Sequence, residues 1–171
     1  MFIGLTTQPP PLTPFSHVRP RQAHKFTAND ELREGADLWH EDMELALAKY
    51  GHMSDWDVSD ITSMRTLFGG NGRYRPHFNE DLSRWNVSCV TDMEDVFFGA
   101  KAFTGAGIGC WDVSSVTNMS CMLNGATSFN HRLGGHWATS TASKSFMFGR
   151  GCPGSIEGKI NSWNGTPTFN V

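Results

Sequence analysis

The chain has 171 residues, a formal net charge of −3, and 39% hydrophobic against 18% charged residues. That length favours a single domain, and the composition excludes wholesale disorder. The mild acidity leaves no basic field to draw in nucleic acid, and no apolar run approaches the roughly 18 residues needed to span a bilayer.

Residues 1–26 are crowded with proline, including Pro9-Pro10-Pro11, and show no hydrophobic periodicity. They read as a disordered or extended Pro-rich leader. Met1-Phe2-Ile3-Gly4-Leu5 lacks a basic stretch and has too short an apolar run for an export signal. The expectation is either an intracellular protein or a chain whose true start lies upstream.

Residues 27–53 read as a capping helix region. Asn29 or Asp30 can cap a helix, and Leu32, Ala36, Trp39, Met43, Ala46 and Tyr50 recur at helical steps. Gly51 suits the helix end, and a break near Asp42 would split the segment in two. A stack of repeats needs its first unit covered, and an amphipathic helix just ahead of the repeats suits that role. This covering role also accounts for Trp39, His40 and His52 without any catalytic reading.

Residues 54–171 repeat. Trp56-Asp-Val-Ser-Asp-Ile-Thr-Ser-Met64 is rewritten as Trp85-Asn-Val-Ser-Cys-Val-Thr-Asp-Met93 and as Trp111-Asp-Val-Ser-Ser-Val-Thr-Asn-Met119. A worn unit starts at Trp137 and a partial one at Trp163, so the steps are 29, 26, 26 and 26 residues. A fixed period in the twenties predicts a solenoid. Trp and Val alternate with Asp or Asn and Ser, which predicts a strand with the apolar residues inward. A short helical turn is expected at Leu67-Phe68, Val96-Phe97 and Met122-Leu123. The extra residues around Asn71-Gly-Arg-Tyr-Arg-Pro76 read as a bulging loop. The predicted architecture is an α/β solenoid of about four coils behind an N-terminal helical cap, with like residues laddered from coil to coil.

The cysteines at 89, 110, 121 and 152 form no Cys-x-x-Cys pair. They occupy different repeat columns, so they read as reduced, partly buried thiols.

The repeated unit, continued by Ala-Thr-Ser-Phe-Asn at 126–130, resembles the BspA-like leucine-rich-repeat surface proteins. The likeness is strong over 54–133 and weaker over 137–171. Glu31-Leu-Arg-Glu-Gly-Ala-Asp-Leu-Trp39 resembles the helical lead-in of some members. The resemblance implies a right-handed leucine-rich-repeat-like solenoid, surface binding or adhesion, and a cell-surface or secreted location. It implies no catalytic residues.

Three functions compete. The first is a non-catalytic scaffold binding a protein or surface glycan through outward strand positions: Asp55, Asp57 and Ser59; Arg84, Asn86 and Ser88; Cys110, Asp112 and Ser114; His136, Ala138 and Ser140. End-to-end association at the C-terminal coil would be a further contact. The second is a structural or ice-contacting array built on the hydroxyls of Thr62, Thr91 and Thr117 with Ser59, Ser88 and Ser114; turn and inter-coil hydrogen bonds explain those columns equally well. The third, a hydrolase, ranks last: Gly-x-Ser-x-Gly, His-Glu-x-x-His and phosphate-loop patterns do not occur. No cofactor or resident metal is expected; calcium on the Asp57/Asp112 column is only a weak alternative. Asn86, Asn118 and Asn164 match the glycosylation acceptor pattern, and a glycan on Asn86 would block the proposed face.

Overall fold

The computed structural model describes residues 23–158. Most of the Pro-rich leader and the partial unit at Trp163, with Asn164, lie outside the described residues.

The N-terminal region forms two helices, α1 (Asn29–Glu41) and α2 (Met43–Tyr50). Asp42 separates them, and its Oδ1 accepts from the Leu45 N–H at 2.9 Å. That bond caps α2 and restarts the helical phase. Leu32, Ala36, Trp39, Ala46 and Tyr50 are buried as their spacing predicts. Met43, placed in the same stripe from sequence, is half exposed because it begins the new phase. Gly51 ends α2 at a φ of +78°.

Two details of this region differ from the sequence reading. Residues 24–26 belong to the folded body. Lys25 forms a parallel bridge with Asp57, and the Phe26 N–H donates to Asp57 O at 2.9 Å. The Phe26 ring is fully buried, its centroid 4.8 Å from that of Trp56. It covers the first repeat tryptophan where a preceding coil would otherwise lie. Nor does Asn29 cap its own helix; Ala28 holds that position without a side-chain bond. The Asn29 Oδ1 instead accepts from the N–H groups of Thr62 and Ser63, each at 3.1 Å.

Successive repeats lie side by side. Parallel bridges join Ser63 to Asp92, Asp92 to Asn118 and Asn118 to Ser143. This seam lies seven residues after each tryptophan in the first three units and six after Trp137, so the worn unit has slipped by one. At the return of the chain, β1 (Arg132–Leu133) pairs in parallel with β2 (Ser155–Ile156).

The Trp-Asp-Val-Ser stretch is a turn rather than a strand. Asp57, Asn86 and Asp112 each accept, through Oδ1, the N–H of the serine two residues on, at 3.0, 3.2 and 3.0 Å. Such a bond competes with ladder pairing, and it bends the chain so that Val58 O can accept from the Ile61 N–H at 3.0 Å. In the worn unit a short helix, α3 (His136–Thr139), takes this place.

The expected helical turns are also absent. Over Met93–Gly99 alternate N–H groups point to the next coil: Met93 to Asn118 O, Asp95 to Ser120 O, Phe97 to Met122 O and Gly99 to Asn124 O, at 2.8–3.1 Å. Phe98 between them bonds back three residues to Asp95 O. The alternation requires a left-handed residue at one column, occupied by Thr66, Asp95, Cys121 and Phe146 at φ of +55° to +57°. Each costs about 1–2 kcal/mol for an L-residue. The lateral bonds hold it there, since an unpaired buried N–H is similarly costly. Four residues later Gly70, Gly99 and Gly125 meet a second positive-φ position, at +66°, +70° and +81°.

The apolar residues turn inward. Trp85, Val87, Val90, Met93, Val96 and Phe97 are all at most 3% exposed, and the neighbouring units repeat the set. Phe97 stacks on Phe103 at 4.0 Å and on Phe68 at 5.6 Å. Trp56 and Trp85 stack at 6.3 Å. Each indole also donates backward: Trp85 Nε1 to Met53 O at 2.9 Å, Trp111 Nε1 to Leu82 O at 3.1 Å, and Trp137 Nε1 to Ile108 O at 3.0 Å.

The inserted loop of the first unit ties the cap to the stack. Asp37 on α1 takes a forked pair of bonds from Arg73, at 2.9 and 3.0 Å, and a third from Arg75 Nη2. Arg75 is only 3% exposed, and its Nη1 donates to Leu67 O at 3.1 Å. A charge buried this deeply depends on its partner.

Trp111→Ala should destabilise the protein by roughly 3–5 kcal/mol. Trp111→Phe keeps an aromatic ring but loses the donor and part of the indole's volume, so its effect should be smaller, nearer about 2 kcal/mol; urea unfolding of the two variants measures the difference. Asn29→Ala should lose about 1 kcal/mol, whereas Asn29→Asp, which keeps the acceptor, should lose less in the same assay.

Candidate interaction face

The face proposed from sequence is assembled from residues flanking each tryptophan. Asp55 and Arg84 precede Trp56 and Trp85, and the Arg84 guanidinium bonds the Asp55 carboxylate across one coil step. Asp112 and His136 meet one step further, with Nδ1 3.4 Å from Oδ1. Asp55, Arg84, Asn86, Cys110, Ser114 and His136 are exposed. The structure therefore brings these positions onto one surface as two cross-coil pairs. Exposed pairs of this kind contribute little to stability.

The second group of candidates is engaged locally. Asp57, Ser59, Ser88 and Asp112 are half-buried or lie in the turns described above. The Ser59 hydroxyl and N–H hold the Asp57 carboxyl below the ordinary aspartate range, and Ser114 does the same for Asp112. Asn86 makes the same bond without a charge, taking both the N–H and the hydroxyl of Ser88 at 3.2 and 2.8 Å. The column therefore calls for an acceptor, and a charge strengthens the bond where the acceptor is Asp. Ala138 is half-buried and Ser140 is buried, so the fourth unit contributes only His136 to the exposed face.

The threonine column has its own use. Thr91 Oγ1 donates to Thr62 O at 3.1 Å and Thr117 Oγ1 to Thr91 O at 3.0 Å, beside the backbone bonds between the same residues. These hydroxyls link coils.

Sequence reasoning missed two features. On the neighbouring surface Arg65 bonds Glu94 at 2.8 Å, and Asn118 Nδ2 donates to Glu94 at 2.8 Å. The alternation of Arg, Glu and Ser nine residues after each tryptophan was the available signal. The second is Lys144, whose ammonium donates to Ser140 O at 2.8 Å and Ala142 O at 3.2 Å. It stands in the column of Met64, Met93 and Met119. The one-residue slip hid that equivalence.

The four cysteines are free. Cys89 and Cys110 are exposed rather than partly buried, Cys121 is half-buried, and burial pushes the Cys152 thiol up to about 11. Among the described residues no group of three His, Cys, Asp or Glu is placed to hold a metal ion. No described helix is long and apolar enough to cross a membrane.

A family model described as "Mycoplasma protein of unknown function, DUF285" matches residues 41–163. That is more than half of the chain, which therefore belongs to this family. The matched segment runs from the end of α1 through all four described repeats. No curated protein and no solved structure matches.

A depressed folded pKa gives stability that is present above the unfolded value and lost as pH falls through the folded one. The Asp57 and Asp112 turns should therefore weaken below about pH 4. Asp57→Asn keeps the acceptor but not the charge, so it should melt slightly below the parent at neutral pH, converge with it in acid, and show a smaller acid loss. Asp57→Ala should melt lower at every pH. Calorimetric melts between neutral and acid pH make the comparison.

Proposed function

We propose that this protein is a non-catalytic repeat scaffold of the BspA-like kind, built as a short right-handed leucine-rich-repeat-like solenoid. Its task is to bind a protein or surface glycan at the cell surface or after secretion. The observation that carries this reading is a contrast between columns. Inside, the same residue types recur at every step. Immediately before each tryptophan, on the exposed surface, the residue changes from Asp55 to Arg84 to Cys110 to His136. A scaffold needs constancy where coils pack, and it is free to vary where a partner is read.

The cross-coil pairs support the same face. Arg84 with Asp55 and His136 with Asp112 place charges of both signs along one line. Such a surface suits a polar partner of mixed charge, with association favoured by complementarity. The hydroxyl-array alternative receives no support from Thr91 and Thr117, whose hydroxyls are engaged between coils.

The test uses the full chain against a glycan array and a panel of immobilised matrix proteins. Arg84→Glu and His136→Ala should leave stability within about 0.5 kcal/mol of the parent. Together they should abolish most binding to whichever probe retains the parent. Undiminished binding by the double variant would remove this face from consideration, and no binding to either panel would count against the reading as a whole.

A further inference from the structure

We propose that Asn71 is a site of spontaneous deamidation, and that its conversion loosens the clasp joining α1 to the first repeat. The chain contains three Asn-Gly steps, at 71–72, 124–125 and 164–165. The last lies outside the described residues; the first two have opposite surroundings.

In the reaction the Gly72 backbone nitrogen attacks the Asn71 Cγ. A new C–N bond closes a five-membered succinimide, the bond from Cγ to the side-chain nitrogen breaks, and ammonia departs with the proton from the Gly72 amide. Water then adds to one of the two imide carbonyls. Opening at one gives aspartate; opening at the other gives isoaspartate, with an extra methylene in the main chain. The reaction needs an unhindered asparagine carboxamide, a following amide nitrogen free of other bonds, and room for the chain to turn.

Asn71 meets those needs. Asn71 and Gly72 are both exposed, and nothing lies within 4 Å of where a Cβ on Gly72 would stand. Among the described residues the Gly72 N–H has no acceptor. A single backbone bond, Arg73 N–H to Gly70 O at 2.7 Å, closes the turn. Asn71 and Gly72 both hold positive φ, +43° and +83°, as in the tightest hairpin turns.

Asn124 meets none of them. It is 6% exposed, and its Nδ2 donates to Phe146 O at 3.3 Å. The Gly125 nitrogen that would attack is already bonded to Gly149 O at 3.0 Å, within the inter-coil track. Reaction there must wait for the stack to open locally. The same dipeptide thus serves as an internal control in one molecule.

The consequence follows from what adjoins Asn71. Arg73 and Arg75, two and four residues on, hold Asp37 of α1. An added main-chain methylene at 71 displaces both guanidiniums relative to α1, and a new carboxylate beside Arg73 competes for it. Arg75, buried with Asp37 as its counter-charge, is sensitive to such a shift.

The full-length protein is incubated at mildly alkaline pH, digested, and the peptides are followed by mass spectrometry with isoaspartate detection. The Asn71 peptide should convert at least about tenfold faster than the Asn124 peptide in the folded chain, and the gap should close in denaturant. Equal rates in the folded chain would overturn the site. The melting temperature should fall in step with conversion at 71, while Asn71→Gly, which accepts the same backbone turn, should hold its melting temperature over the same incubation. Isoaspartate at 71 with no fall in melting temperature would overturn the link to the clasp.

Discussion

The structure depends on the hydrogen bond that Trp85, Trp111 and Trp137 each make from inside an apolar core. Each of these three indoles sends its N–H to the carbonyl three residues before the previous tryptophan. That carbonyl already accepts the backbone N–H of its own tryptophan, as Leu82 O does from Trp85 at 3.1 Å. Both of its lone pairs are therefore occupied, one within the coil and one by the next coil. Apolar packing is non-directional and tolerates sliding; a hydrogen bond of about 3 Å does not. The indole supplies bulk and register together, and the rest of the unit is phased from it. Phenylalanine would fill much of the volume without setting the step.

The two ends of the described stack show what the interior bonds require. Inside, the N–H of Thr91 reaches Thr62 O and that of Thr117 reaches Thr91 O. The first unit has no earlier repeat to supply such an oxygen, and the Asn29 carboxamide supplies it from α1. In the fourth unit the carbonyl equivalent to Thr117 O belongs to Ala142, and it accepts from Lys144 Nζ. At each place a side chain takes the role that a neighbouring coil's backbone plays inside the stack. Asp37 with Arg73 and Arg75 then fixes α1 over the first unit, so the cap is held by charge as well as by the apolar contacts of Phe26 and Tyr50 with Trp56.

The polar residues of the repeat divide into two populations. The Asp or Asn after each tryptophan and the threonine column face water and yet are engaged in bends and inter-coil bonds. The residue just before each tryptophan holds no bend, makes at most an exposed cross-coil pair, and varies from unit to unit. That division, more than exposure alone, separates the polar residues that build the repeat from those that vary on its surface.

Much of this was legible in the sequence. The spacing of Trp56, Trp85, Trp111 and Trp137 determined the period, the buried columns and the need for a cap, because a repeat must bury the same face at every step. The break at Asp42 was readable because an N-cap residue carries its own local chemistry. Several things were decided only in three dimensions. Turn replaced strand after each tryptophan because an Asp or Asn side chain bonded its own backbone first. Left-handed turns replaced the short helices because N–H groups found partners on the adjacent coil, which no single unit reveals. The slip in the fourth unit, the reach of Asn29 to Thr62 and the clasp on Asp37 depend on residues tens of positions apart. Local pattern registers what a segment prefers; which neighbour completes its bonds is settled when the coils meet.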